Sequence, residues 1–355
     1  MTRPFLSVLV DTYNQEKFIE QAIVSVLEQD FPMQDVEILV VDDGSTDRTP
    51  EILKKFEPRI RNLRKTNGGQ ASAFNLGIPE CKGEIVAFLD GDDWWVPGKL
   101  AHVADFLSAE PEVGIVGHGI LEALEDGTVR CSAPEKQERL RLDGLAAARV
   151  FRLRKSYLGT SRMTIRSGVA RQILPVPEAL VFEADEYLFT LAAALSDLVI
   201  LLEPLTYYRL HGANLYNAGG GNVEGLRRKQ AVMAALAEAL RRELPSRGVS
   251  AETVECVVEI VQADADQMRL MLYGGMPWET VRTEKTINEV MHGDAPRSYR
   301  VFRWATMVMA GLLPPRWFYA ARRRLAGQRW YRGARAEVLP VPSITDVAAS
   351  EEFKG

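Results

Sequence analysis

Phe88-Leu89-Asp90-Gly91-Asp92-Asp93-Trp94-Trp95 sets three carboxylates within four positions, directly after the apolar run Ile85-Val86-Ala87-Phe88-Leu89. The run is β-branched and aromatic, which predicts a short buried strand with the acids at its C-terminal end. Carboxylates packed this closely repel one another, and their ionised forms need water or a cation. Hard oxygen ligands at the mouth of a sheet suit Mg²⁺ or Mn²⁺, ions that keep waters and bind phosphates. Taken alone, the run also fits an acidic surface turn.

Two further strand ends are polar. Val36-Glu37-Ile38-Leu39-Val40-Val41 reads as a strand that runs into Asp42-Asp43-Gly44-Ser45-Thr46-Asp47. A helix is expected next, with Thr49 as its N-cap and Pro50 at its first position. Leu6-Ser7-Val8-Leu9-Val10 is a third strand, ending in Asp11-Thr12-Tyr13-Asn14. The apolar spacing of Phe18, Ile19, Ala22, Ile23, Val26 and Leu27 predicts a helix over roughly 16–29. Strands alternating with helices predict an open α/β sheet, and ligands bind such sheets beyond the carboxyl ends of the strands.

These pieces together resemble a known family. Ser7-Val8-Leu9-Val10 with Thr12-Tyr13-Asn14, Val41-Asp42-Asp43-Gly44-Ser45-Thr46-Asp47, Asn67-Gly68-Gly69-Gln70 with Asn75-Leu76-Gly77, and Leu89-Asp90-Gly91-Asp92-Asp93-Trp94 occur in the order and spacing of a family 2 glycosyltransferase. The likeness is carried by residues 5–100. It continues more thinly to about 215 through Ala184-Asp185-Glu186-Tyr187-Leu188 and Tyr208-Arg209-Leu210-His211-Gly212-Ala213-Asn214. It implies a GT-A-like, Rossmann-like α/β fold with a mixed, mostly parallel sheet flanked by helices. It also implies a nucleotide-diphosphate sugar donor (a UDP-sugar best fits the motifs), a divalent metal and inversion at the anomeric carbon.

By the same resemblance, Asp92 contacts the metal directly, and Asp90 the ribose or a metal-bound water. Asp43 accepts a hydrogen bond from the base, and Tyr13 stacks on that base. Thr12, Asn14, Asp42, Asn67, Gln70, Asn75 and Gly91 belong to the donor pocket. Asp185 is the expected general base, with Glu183 and Glu186 as rivals, and His211 the expected late contact to metal or diphosphate. Three positions depart from the family pattern: Asp11 stands where Pro is frequent, Phe74 where many relatives carry Arg, and Ala184 where Glu precedes the base.

Other chemistries find little support. There is no Gly-x-Ser-x-Gly elbow, and Cys81, Cys131 and Cys256 lack metal-ligand spacing. No Gly-x-Gly-x-x-Gly follows the first strand, which argues against a dinucleotide-dependent oxidoreductase. A nucleotidyltransferase shares the acidic α/β sheet but usually carries a basic Gly-rich N-terminal loop, which this chain lacks. A non-catalytic module that only binds the donor stays open on the Ala184 departure. Dispersed cysteines suit a reducing compartment. The first strand is not preceded by a signal-like segment, and no stretch reaches the ~18–20 apolar residues of a spanning helix. The expectation is a cytoplasmic protein, placed at the inner face of the membrane if it binds one.

The chain has 355 residues, enough for a catalytic domain and a smaller unit. The expected division is a catalytic domain over 1–217, a helical region over 218–335 with helices near 223–242, 251–273 and 280–291, and a flexible tail over 336–355. Within 297–335 stand ten arginines and no Asp or Glu, interleaved with Trp304, Trp317, Trp330, Phe302, Phe318, Tyr319 and Tyr331. That segment carries +10 in a chain of net charge −5, which leaves −15 for the remainder. Basic residues beside interfacial aromatics suit an anionic membrane surface. A basic face packed on the protein is the alternative, and no nucleic-acid partner is expected. The expected acceptor is a saccharide or a lipid-linked hydroxyl, in cell-surface polysaccharide or glycolipid synthesis.

Overall fold

The computed structural model describes residues 6–211, 223–292 and 297–326. The expected domain boundary near 217 and the tail 336–355 lie outside them. The strands are β1 (Leu6–Thr12), β2 (Val36–Asp42), β3 (Arg61–Arg64), β4 (Ile85–Asp90), β5 (Trp94–Trp95), β6 (Val113–Leu124), β7 (Val129–Ser132), β8 (Glu138–Leu140), β9 (Thr164–Arg166) and β10 (Asp197–Leu210). They form one mixed sheet in the order β3-β2-β1-β4-β9-β6-β10-β5, with β7 paired to β6 and β8 to β10. The long ladders, β1 with β2, β1 with β4 and β6 with β10, are parallel. The short ones made by β5, β7, β8 and β9 are antiparallel.

Helices cover both faces: α1 (Ile19–Leu27), α2 (Thr49–Lys54), α3 (Gln70–Glu80), α4 (Lys99–Ala109), α5 (Leu145–Arg154), α6 (Ser167–Ile173) and α7 (Ala184–Leu195). Strand alternation divides the core. Leu6, Val8 and Val10 of β1 face α1, α2 and α4 with Ile38, Val40, Ile85, Ala87 and Leu89. Leu9 faces the other way with Leu39, Val41, Val86 and Phe88, under α3 and α5 to α7. The first helix is shorter than the expected 16–29. The expected cap at Thr49 is also corrected: the Asp47 carboxylate accepts the Thr49 amide at 2.9 Å, while the Thr49 hydroxyl accepts from the Gln15 amide. Thr49 is thus the first helical residue, its amide held by Asp47 from just before the helix, and its hydroxyl links the first two turns.

The helical region comprises α8 (Val223–Ser246), α9 (Ala251–Tyr273), α10 (Pro277–His292), α11 (Arg297–Leu312) and α12 (Pro315–Ala326). The Ser250 hydroxyl accepts the Thr253 amide and caps α9. Leu236 and Leu240 of α8 and Val258 and Val261 of α9 are fully buried in the same core as Leu188 and Leu191 of α7. The first two C-terminal helices therefore extend the core of the sheet. Leu236→Ala and Leu188→Ala should each cost about 2–5 kcal/mol, and both should lower the midpoint of one shared urea transition. A variant that moves only a separate, second transition would show that the helices fold on their own.

Candidate active site

Parallel register assembles the acidic turns. Thr12 pairs with Asp42 across β1 and β2, and Asp11 with Asp90 across β1 and β4. The chain order reverses on either side of β1, so these ends open at the sheet's switch point, where crevices form. Gly91 lies against β1: a Cβ there would meet the Thr12 hydroxyl at 2.6 Å. Any side chain would push the acidic turn away from β1.

The carboxylates divide into two kinds. Asp42 and Asp43 are held by the protein itself. Asp42 accepts the Ser45 amide at 2.8 Å and faces the Arg64 guanidinium. Asp43 accepts Lys65 Nζ at 2.6 Å and the Gly68 and Gly69 amides at 3.0 and 2.7 Å, which fixes the loop containing Asn67. Gly69 takes φ +81° against Val181, where a Cβ would come within 2.6 Å. Asn14, itself at φ 54°, accepts the Thr46 amide at 2.8 Å and ties the first turn to the second. Tyr13 stands 44% exposed beside these turns.

Asp11, Asp90 and Asp93 crowd together beside Asp92, and their carboxyls are all raised. Burial, then repulsion from Asp92 and Asp185, holds Asp11 well above the carboxylate range. Asp90 is raised in the same way, by burial and then by Asp11, Asp93 and Asp92. Asp93 is pushed to about 7 by burial and Asp92, although one oxygen accepts the Arg209 amide at 2.9 Å. Buried oxygens of Asp11 and Asp93 find no hydrogen-bond donor among the described residues. Asp92 is met by His211 Nε2 at 3.0 Å and by Gln15 Nε2 at 3.3 Å. Arg209 lies between the rings of Phe18 and Trp94, at 4.6 and 4.4 Å, and donates to the Asp92 carbonyl.

One turn, Thr160–Arg162, joins this cluster to the expected base. The Thr160 amide and hydroxyl donate to Asp185 Oδ2 at 3.0 and 3.1 Å. The Ser161 hydroxyl accepts the Asp90 amide at 3.0 Å and donates to its carboxylate at 3.2 Å. The Ser161 carbonyl in turn accepts Lys99 Nζ, Thr206 Oγ1 and Trp95 Nε1 at 2.7, 2.7 and 3.2 Å. Lys99 is fully buried, and burial draws its ammonium well below the usual range. Neither this turn nor Lys99 was expected from the sequence. Asp11 was noted there only as a departure.

Of the remaining residues, Gln70 bridges Thr160 Oγ1 and the Ala184 amide, at 3.0 Å each, and so supports the turn and the start of α7. Asn75 clamps both backbone polar groups of Val176, at 2.7 and 2.8 Å, so its amide serves the scaffold. Glu186 is committed to Lys155 at 2.5 Å. Glu183 sits at φ 60° beside Asp185, and its carboxyl is pushed to about 8 by burial and then by Asp185 and Glu186.

This donor set fits a divalent cation. The repelling acids and their unpartnered oxygens are what an ion or protons must neutralise, and the oxygens are hard ligands. Among the described residues, no group of three or more Asp, Glu, His or Cys side chains is arranged to hold a metal ion by itself.

The architecture is that of a GT-A-like α/β fold, and residues 7–156 match the family described as glycosyl transferase family 2. Over these residues the chain is similar to glycosyl transferase family 2. An uncharacterized glycosyltransferase of Nostoc sp. is 32% identical over 217 residues, covering 59% of this chain and 66% of that protein. The poly(ribitol-phosphate) β-N-acetylglucosaminyltransferase TarS of Staphylococcus aureus is 37% identical over 105 residues, 28% of this chain and 18% of that one. The chain thus spans less than two thirds of either relative. Among solved structures, the mannosyltransferase PcManGT of Pyrobaculum calidifontis, in complex with GDP-Man and Mn²⁺, aligns with a TM-score of 0.51 at 20% identity, covering 88% of this chain and 87% of that one.

Glu183 gives the site a pH signature. Its folded-state pKa lies above the ordinary 4.5. The folded protein therefore keeps a proton that the unfolded chain releases, and stability falls as pH rises from about 4.5 to 8. Glu183→Gln should remove part of that slope. Its melting temperature should match wild type near pH 4.5 and exceed it by several degrees near pH 8, at about 2–4 °C per kcal/mol. Parallel melting profiles for the two proteins would contradict the burial argument.

Proposed function

We propose that this domain is an inverting, metal-dependent glycosyltransferase that moves a sugar from a nucleotide-diphosphate donor, best a UDP-sugar, to a hydroxyl of a saccharide or lipid-linked acceptor. The observation that carries the reading is the cluster of Asp11, Asp90, Asp92 and Asp93 at the switch point of the sheet, three of whose carboxyls are raised by burial and mutual repulsion, with His211 beside Asp92. A cation between such a group and an anionic diphosphate would offset their mutual repulsion. Mg²⁺ or Mn²⁺ held by Asp92, with Asp90 and His211 beside it, would supply the positive charge that a departing nucleoside diphosphate requires. Exposed Tyr13 offers a face for the base. Asp43 and its loop, with Asn67 and Gly68, form the wall beside it.

Asp185 takes the proton of the acceptor hydroxyl in this reading. Thr160 holds one carboxylate oxygen through two hydrogen bonds, which orients the base, while the Ser161 hydroxyl fixes Asp90 one residue later. The base and the diphosphate-side acid are thus referenced to the same turn. Positioning of this kind matters because small misplacements of reacting groups cost large factors in rate. An acceptor from cell-surface polysaccharide or glycolipid assembly would be met at an anionic membrane face in the cytoplasm.

The test is nucleoside diphosphate release from a panel of nucleotide sugars and acceptors, with Mn²⁺. Asp92→Ala should abolish metal-dependent release. Asp185→Asn should keep donor binding and lose at least ~10²-fold in kcat. Thr160→Val, which removes only the hydroxyl, should lower kcat by about tenfold with donor KM unchanged. Normal turnover by Asp185→Asn would overturn its role, and release of pyrophosphate would identify a nucleotidyltransferase.

A further inference from the structure

The ends of the C-terminal helices present an apolar face to solvent. Leu270 of α9, Ala310 of α11 and Phe318 and Tyr319 of α12 form a small core of their own, packed against Val281 of α10 and Leu313. On and between the elements that supply it, Tyr273, Met276, Trp278, Leu312 and Trp317 are 58–76% exposed. Trp304, Val308 and Leu312 continue the face along α11 at intervals of four residues, over about 12 Å of helix axis, and all three are exposed, with Met309 beside them. An amphipathic helix in a soluble core turns such a stripe inward. Here α11 turns it outward, and contiguous exposed apolar surface marks an interaction site.

Charge identifies the partner. The segment 297–335 contains ten arginines and no acid. Arg322 is drawn inward to Glu284, so the basic character is in part structural. Arg316 and Arg324, by contrast, are exposed on α12, with Arg316 leaning on the Leu272 carbonyl at 3.1 Å. Glu279, the acid next to Trp278, is neutralised by Arg269 at 2.8 Å. No helix among the described residues is long and apolar enough to cross a membrane. Tryptophans and aliphatics flanked by arginines instead fit the boundary between headgroups and acyl chains.

We infer that the face formed by Tyr273, Trp278, Trp304, Leu312 and Trp317 docks the protein onto an anionic lipid surface, with α11 lying in the interface. This deepens the lipid-linked acceptor reading above, but its test requires no turnover. Flotation of the full chain with phosphatidylcholine vesicles, with and without phosphatidylglycerol, reads it directly. The protein should float with the anionic vesicles, be released by salt and bind neutral vesicles about tenfold more weakly. Trp304→Ser/Leu312→Ser/Trp317→Ser should lose at least about tenfold in binding while keeping wild-type melting and donor-induced stabilisation, since exposed substitutions leave the fold intact. The inference fails if wild type stays with the soluble fraction, if the triple variant floats like wild type, or if sizing shows a dimer that the triple variant dissolves. Flotation without sugar transfer would refute only the proposed function.

Discussion

Everything at this site follows from repulsion among carboxylates that the backbone does not allow to separate. Parallel pairing of β1 with β4 sets Asp11 beside Asp90, and the tight turn at Gly91 brings Asp92 and Asp93 back over the same edge. Burial removes the water that would screen them. Of the nearby lysines, Lys65 is committed to Asp43 and Lys99 to the Ser161 carbonyl, while His211 and Arg209 meet Asp92. The repulsion is therefore built into the fold, and in the proposed reading a divalent ion with a diphosphate relieves it. In that reading metal and nucleotide bind together, because each would reduce the electrostatic cost of binding the other.

The turn at Thr160 and Ser161 explains how residues distant in sequence act together. Asp90 and Asp185 lie 95 positions apart, on different elements, yet each is hydrogen-bonded to one of two consecutive residues. The turn is itself anchored by three donors to a single carbonyl from β10, β5 and the start of α4. Buried polar groups pinned this densely give a rigid reference frame, at the cost of burying an ammonium that has lost most of its hydration.

How much of this was legible in the sequence depends on range. The strands of the parallel half, their acidic ends and most C-terminal helices show in local patterns, since apolar period and turn residues are local signals. The α9 helix begins and ends where its cap and glycine place it. Long-range hydrogen bonds leave no such mark. Ser161, Thr160 and Lys99 look ordinary until the chain folds, and Asn75, read as part of the donor pocket from its motif, proves to clamp Val176. Thr49 reads as a cap because Pro50 follows it, yet Asp47 reaches the free amide first. The basic segment was legible as composition alone. Only the packing around Phe318 and Tyr319 shows which of its aromatics face inward and which face water.

The central claim is that the acidic edge binds a nucleoside diphosphate only through a divalent ion, and calorimetric titration of UDP into the protein with Mn²⁺ or with EDTA tests it most directly. The account predicts tight binding with Mn²⁺ and a loss of at least about 2.7 kcal/mol, or roughly a hundredfold in Kd, with EDTA. Equal affinity in both titrations would contradict it.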